Sequence, residues 1–166
     1  MRNQYEKFKI FNGLNKSQIN LFEEKISIIK HSKNDIIFNE GEKGETLFFL
    51  LDGEVEITQA LTLELSKANF DTREKSILNL KSDQYPIFGE MSIFGTKELR
   101  TATVKAISDC KMGEISKFDL LQLCESDKKI CYIVLSNICS IITDNLINAN
   151  ANILKLTTAF SLILDK

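Results

Sequence analysis

The sequence is short of the residues that most metal, redox, membrane and nucleic-acid chemistry requires. It has one histidine, His31, so a metal cluster built on two or three imidazoles is excluded, and a strand-end or surface position is expected for it. Its cysteines, Cys110, Cys124, Cys131 and Cys139, form no C-x-x-C pair, which removes the usual zinc and dithiol spacings. The last three are spaced as if on one side of a helix, where buried thiols serve as filler. Basic residues are not gathered into a run. With 21 Lys and Arg against 23 Asp and Glu, the formal charge is −2, which offers no footprint for direct nucleic-acid binding. Met1 to Lys9 is polar with no apolar block behind it, so no signal peptide is expected. No unbroken apolar run approaches the ~20 residues that cross a bilayer. A cytoplasmic protein with no metal and no membrane partner is the expectation, and 166 residues suffice for one cored domain, with or without an appendage.

What is present falls into two periods. Residues 3–11 and 17–26 read as short amphipathic helices, with Ser17 as N-cap of the second and Ile19, Phe22 and Ile26 on one face. Asn12-Gly13 marks the turn between them. From about residue 27 the period becomes two. SIIKHS, DIIFNE, TLFFLL, EVEITQALTLEL and SILNLK read as strands, broken by small polar clusters, and further strands follow near 101–107 and 110–116. Asp52-Gly53 between two apolar runs predicts a hairpin, and residues 61–75 read as a long charged hairpin. So many short strands predict a sandwich or small barrel. KFDLLQLCE, residues 117–125, reads as a short helix, and a long helix follows Asp127. Tyr132, Leu135, Cys139, Ile142, Leu146, Ala149, Ile153, Leu156, Phe160 and Ile163 recur at alternating steps of three and four, which is a heptad seam. A second face, Ile130, Ile133, Val134, Ile138 and Ile141, is apolar in the first half only. The front of the helix is therefore expected to pack on the strands and the seam to pair with a second copy of the chain.

The stretch FGEMSIFGTKELRTATV, residues 88–104, carries the chemistry. Gly89 lets backbone approach a ligand closely. EMSIF is long enough for one helical turn, whose first N–H groups favour an anion. Arg100 adds a permanent charge on a planar donor fork suited to phosphate oxygens, and Thr101 adds a hydroxyl. Glu90 can accept a hydrogen bond from a sugar hydroxyl and offset Arg100. Together they describe a pocket for a molecule with a phosphate and an adjacent hydroxyl; a loop helix with a surface ion pair is the plainer alternative.

F-G-E-M-S followed by R-T-A-T-V resembles the phosphate-binding cassette of the cyclic nucleotide-binding domain family, which includes sensory domains of catabolite activator-type regulators, kinase regulatory subunits and gated channels. Phe38-x-Glu40-Gly41-x-x-Gly44 and Phe48-x-x-Leu51-x-Gly53-x-Val55 resemble that family's glycine-punctuated strands. The resemblance covers roughly residues 8–145. It implies a mainly β fold: an eight-stranded jelly-roll (cupin-like) barrel with N-terminal helices, residues 1–126, and a long C-terminal dimerisation helix, residues 127–166. It implies that Phe88 belongs to the cassette, that Glu90 accepts the ribose 2′-hydroxyl, and that Arg100 pairs with the cyclic phosphate. Amides near Gly89, Met91 and Ser92, with Thr101, complete the cradle, and Thr143 reaches the base from the long helix. The expected ligand is cAMP or cGMP, and the expected role is that of a non-catalytic sensor signalling to an effector protein. The sequence departs from the family's transcription factors in ending at Lys166 without a helix-turn-helix, and it lacks the N-terminal cysteine cluster of oxygen-sensing relatives. The rival expectations are a dimeric scaffold that binds no nucleotide, a metal-dependent enzyme and a DNA-binding regulator. The intact Glu90 and Arg100 oppose the first, the single histidine the second, and the acidic charge the third.

Overall fold

A computed structural model of the chain describes residues 4–60 and 74–164. The N-terminal segment is not one helix but two 3-10 turns, Gln4–Lys7 and Lys9–Phe11, separated by Phe8 in an extended conformation (φ −75°, ψ 127°). A segment this short nucleates an α-helix poorly. Tyr5, Phe8, Ile10 and Phe11 are all buried, so tertiary packing sets the local geometry. The helix α1 spans Lys16–Glu23. Its N-cap is Asn15 rather than Ser17: the Asn15 carboxamide accepts from the Gln18 amide at 3.0 Å and the Gln18 side chain accepts from the Asn15 amide at 3.0 Å. This reciprocal pair satisfies two orphan donors. Ser17 lies inside the helix and donates its hydroxyl to Asn15 at 2.6 Å.

Eight strands follow: β1 (Ser27–His31), β2 (Ile36–Phe38), β3 (Thr46–Asp52), β4 (Glu54–Ala60), β5 (Glu74–Lys81), β6 (Ile87–Phe88), β7 (Thr103–Ala106) and β8 (Cys110–Ser116). They form two four-stranded antiparallel sheets, ordered β1-β8-β3-β6 and β2-β7-β4-β5. The jelly-roll expectation holds. The hairpin expected at Asp52-Gly53 does not: the chain turns there, but β3 and β4 lie in different sheets. Both edges of β3 are occupied, by β8 and β6, so the turn carries the chain across to the opposite sheet. The hairpin expected over 61–75 is formed at its base, where β4 and β5 pair from Glu54↔Lys81 to Ala60↔Glu74; residues 61–73 lie outside the described residues.

Alternation along β3 builds two cores from one strand. Phe48 and Leu50 point between the sheets, with Phe38, Val55, Phe88, Val104 and Met112. Leu47 and Phe49 point to the other side and meet Tyr5, Phe8, Phe11, Ile115, Leu120 and Val134. Phe49 is stacked on Phe11, with ring centroids 5.5 Å apart. Each such side chain contributes about 1.5–3 kcal/mol when fully buried.

The helix α2 (Glu90–Phe94) is the expected single turn, α3 spans Lys117–Ser126 and α4 spans Lys128–Leu164. Ser116 caps α3 by accepting from the Asp119 amide at 3.0 Å. Asp127 breaks the chain between α3 and α4 and caps the latter, accepting from Lys129 N at 2.8 Å. The break puts Cys124 on α3 and Cys131 and Cys139 on α4, so they do not share one helix. They range from buried (Cys124) to exposed (Cys139). Burial and the neighbouring Cys131 push the Cys124 thiol up to about 12.

On α4 the two apolar faces separate as expected. Ile130, Val134 and Ile138 are buried against the domain. Asn137 donates to the carbonyls of Ile10 (3.0 Å) and Asn12 (2.8 Å), and Lys9 pairs with Asp144 at 2.6 Å. The seam is exposed from Tyr132 through Leu146 and Ile153 to Phe160, except at Leu135, which is partly buried against the domain. With its interruptions counted in, α4 is long and apolar enough by length and composition to cross a membrane, an 18-residue window within it reaching a mean hydropathy of 1.6. The expectation from unbroken runs did not register this, because isolated asparagines and hydroxyls interrupt the runs without lowering the average much.

Candidate functional site

The site is assembled from two segments far apart in sequence. The loop between β2 and β3 and the segment leading into β7 run side by side. The Arg100 amide donates to Glu42 O at 2.8 Å, Gly41 N donates to Arg100 O at 2.8 Å, and Gly44 N donates to Glu98 O at 2.9 Å. Lys43 and Leu99 form an antiparallel bridge. This stitching fixes the backbone of Arg100 and sends its side chain inward, where only 5% of the residue is exposed.

The Arg100 guanidinium lies over the Phe38 ring, 4.2 Å from its centroid, and 5.4 Å from that of Phe48. Phe48 is in turn stacked on Phe88 at 5.1 Å. These rings supply a weak attraction for a planar cation and keep water off it. Arg100 Nη1 donates to Thr46 O (2.9 Å), Ser92 Oγ (2.9 Å) and Gly89 O (3.2 Å), and Nη2 donates to Thr46 Oγ1 at 2.7 Å. Nε is buried with no hydrogen-bond partner. Desolvation lowers the Arg100 pKa from its ordinary value, and Glu42 and Glu90 oppose the shift. Nε is thus a buried donor with no protein acceptor, an arrangement that costs free energy.

Gly89 has φ +87°, and a Cβ there would stand 2.6 Å from Arg100 Nη1. No side chain fits between β6 and the guanidinium. Glu90 follows as the first residue of α2 and is 7% exposed. Burial raises its carboxyl above the usual carboxylate range, its own backbone amide and Arg100 pulling it partly back. Among the described residues the two charges form no direct ion pair, so Glu90 acts on Arg100 only through space. Ser92 is buried and donates to Gly89 O at 2.9 Å while accepting from Arg100. Its hydroxyl therefore holds the arginine, in addition to the backbone role expected for it. Met91 and Thr101 are exposed at the rim, joined by a 3.5 Å contact from the threonine hydroxyl to the thioether.

Phe88, Gly89, Glu90, Met91, Ser92, Arg100 and Thr101 are thus brought together. Thr143 is not. Its hydroxyl donates to Cys139 O within α4 at 2.8 Å, and the next residue, Asp144, is tied to Lys9. Thr46 went unanticipated, as did the use of Phe38 and Phe48 as a platform under Arg100. Gly44 has a second purpose too: a Cβ there would fall 2.3 Å from Ser92 Oγ and 2.8 Å from Arg100 Cδ. The spacing of Phe38, Gly41 and Gly44 was visible in the sequence, but nothing local marks Thr46. Among the described residues no group of His, Cys, Asp or Glu is gathered to hold a metal ion. A buried, preorganised cation beside a buried carboxyl is suited to recognising an anion that also carries a hydroxyl.

The cyclic nucleotide-binding domain profile matches residues 28–127. The chain belongs to the cyclic nucleotide-binding domain family. It is 32% identical over 103 residues to the cAMP-activated global transcriptional regulator CRP of Pasteurella multocida, and 35% identical over 104 residues to the cAMP-activated global transcriptional regulator Vfr of Pseudomonas aeruginosa. The first match covers 62% of this chain and the second 61%, and each takes in 44% of the relative, so the chain corresponds to less than half the length of either. A cyclic nucleotide-binding domain from Methylobacillus flagellatus superposes with a TM-score of 0.75 at 20% identity, covering 91% of this chain and 79% of that one. These relatives are regulators and binding domains of the same jelly-roll architecture.

Proposed function

We propose that the chain is a cyclic nucleotide sensor without catalytic activity, with cAMP as its first candidate ligand and cGMP as the second. The supporting observation is Arg100: buried, fixed from both sides by backbone, and left with one donor unsatisfied. In this reading the cyclic phosphate meets Arg100 and the amides at Gly89, Met91 and Ser92, Thr101 closes the rim, and Glu90 takes the ribose 2′-hydroxyl. Preference for cAMP rests on the two relatives whose names read cAMP-activated. The functional division is a sensing unit over 1–126 and a dimerisation helix over 127–166. The exposed seam of α4 pairs with a second copy, and Thr143 reaches the base from that partner helix or after α4 moves. The output goes to an effector protein rather than directly to nucleic acid, in the cytoplasm. A heptad seam suits a coiled coil better than a bilayer: Asp144, Asn145, Asn148, Asn150, Asn152 and Lys155 surround it, and polar groups on a lipid-facing helix are costly.

A second reading has its own observation. Thr46, Ser92 and Gly89 already satisfy most donors of Arg100, as they would in a dimeric scaffold whose arginine is only structural. Thermal unfolding with cAMP, with cGMP and with neither separates the two. A ligand at 100 times its dissociation constant adds about 2.7 kcal/mol of stability. A shift with one nucleotide, lost in Arg100→Ala, is expected; no shift with either nucleotide leaves the scaffold.

A further inference from the structure

Glu98 is two residues from Arg100 and has a positive φ of 50°, rare for a residue with a side chain. Its backbone carbonyl accepts from Gly44 N. Its carboxylate pairs with the ammonium of Lys117, the first residue of α3. The backbone of Lys117 is fixed on the same junction, its amide donating to Glu45 O at 2.7 Å. The 42–45 stretch of the β2–β3 loop is therefore bonded both to the Arg100 segment and to the root of α3, while the Lys117 side chain reaches Glu98 directly. Lys43 pairs with Glu45 at 2.6 Å beside this junction. At its far side α3 packs on α4, Leu120 meeting Ile130 and Val134 in the same core.

We propose that Glu98 and Lys117 form a strut that couples the position of the Arg100 segment to the first turn of α3, and through α3 to α4. The strut rests on the reading of Arg100 as the ligand-contacting group. Neither Glu98 nor Lys117 contacts the ligand; both are positioning residues. The pair is partly exposed, with side-chain exposures of 28% for Lys117 and 48% for Glu98, and such pairs add little to stability. Its consequence lies in connectivity. It offers a polar path from the arginine to the helix pair, separate from the apolar core that Ile93 of α2 and Leu120 of α3 share.

The test uses the full chain and reads backbone amide exchange in α3 together with calorimetric binding of cAMP. In Lys117→Met, cAMP affinity should change by less than about fivefold, as for other exposed pairs. The cAMP-induced change in α3 exchange should fall by half or more, and Lys117→Arg should restore it. A parallel arm needs no nucleotide: Arg100→Gln should alter α3 exchange in the parent chain and much less in the Lys117→Met background. Failure of the parent chain to bind cAMP or cGMP would overturn the nucleotide reading, and the second arm would still decide the strut. Equal α3 responses with and without Lys117, in either arm, would overturn the strut.

Discussion

At the scale of single residues, the site combines a fixed cation with a carboxyl that burial makes reluctant to ionise. The Glu90 pKa in the folded chain lies above its ordinary value of 4.5, chiefly through desolvation. The stability it contributes is therefore full below the unfolded pKa and is lost as pH rises through the folded one. Glu90→Gln is expected to raise the melting temperature of the ligand-free chain at pH 7, with little effect at pH 4, and to flatten the decline between them; melting curves across this range check it. In its proposed role Glu90 accepts the ribose hydroxyl, and on that reading the same variant should lower cAMP affinity about tenfold or more in calorimetry. Glu90 and Arg100 were legible because both sit in one short stretch with a glycine before them. Thr46 was not, because it lies 54 positions from Arg100 and a lone threonine at the start of a strand carries no signal of a tertiary bond.

At the scale of elements, local chemistry set the ends better than the contents. The Asn15 cap shows the difference between a plausible residue and a bonded one. Ser17 is a good capping type, but Asn15 alone stands three residues before a Gln18 that can reach back. Asn15→Ala should cost about 1 kcal/mol in urea unfolding, and Ser17→Ala should cost markedly less; equal losses would contradict the assignment. Strand existence followed from short apolar runs such as Leu47 to Leu50, all buried, between small polar breaks, whereas sheet membership did not. Asp52-Gly53 forms a turn whichever sheet the next strand enters, and that choice is made by β8 and β6 occupying both edges of β3. The 3–11 segment likewise has the apolar content of a helix, yet the burial of Phe8 and Phe11 beside Phe49 bends it into two turns.

At the scale of the whole molecule, the exposed side of α4 carries a long run of the exposed large apolar side chains found among the described residues. Leu146 and Ile153 are 59% and 58% exposed, and Leu156 and Phe160 are also exposed. An apolar stripe this long in water calls for a cover. Leu146→Glu combined with Ile153→Glu should convert a dimer to a monomer in analytical ultracentrifugation. The barrel should melt as before, since neither residue belongs to its core. A parent chain that sediments as a monomer without lipid and floats with vesicles would instead assign the stripe to a membrane. The two-faced reading of this helix was available from the sequence, because Ile130, Val134 and Ile138 belong to a second apolar face that stops after the first half while the seam runs on.

The anchoring of α4 also has a mechanical consequence. The residues that hold it, from Ile130 to Asp144, all lie in its first half. Beyond Asp144 the axis runs on for about 30 Å at ~1.5 Å per residue. A tilt of about 5° at that fulcrum would swing Leu164 sideways by about 3 Å over that length, so a displacement too small to break contacts at the barrel becomes, at the far end, one that another protein surface can discriminate.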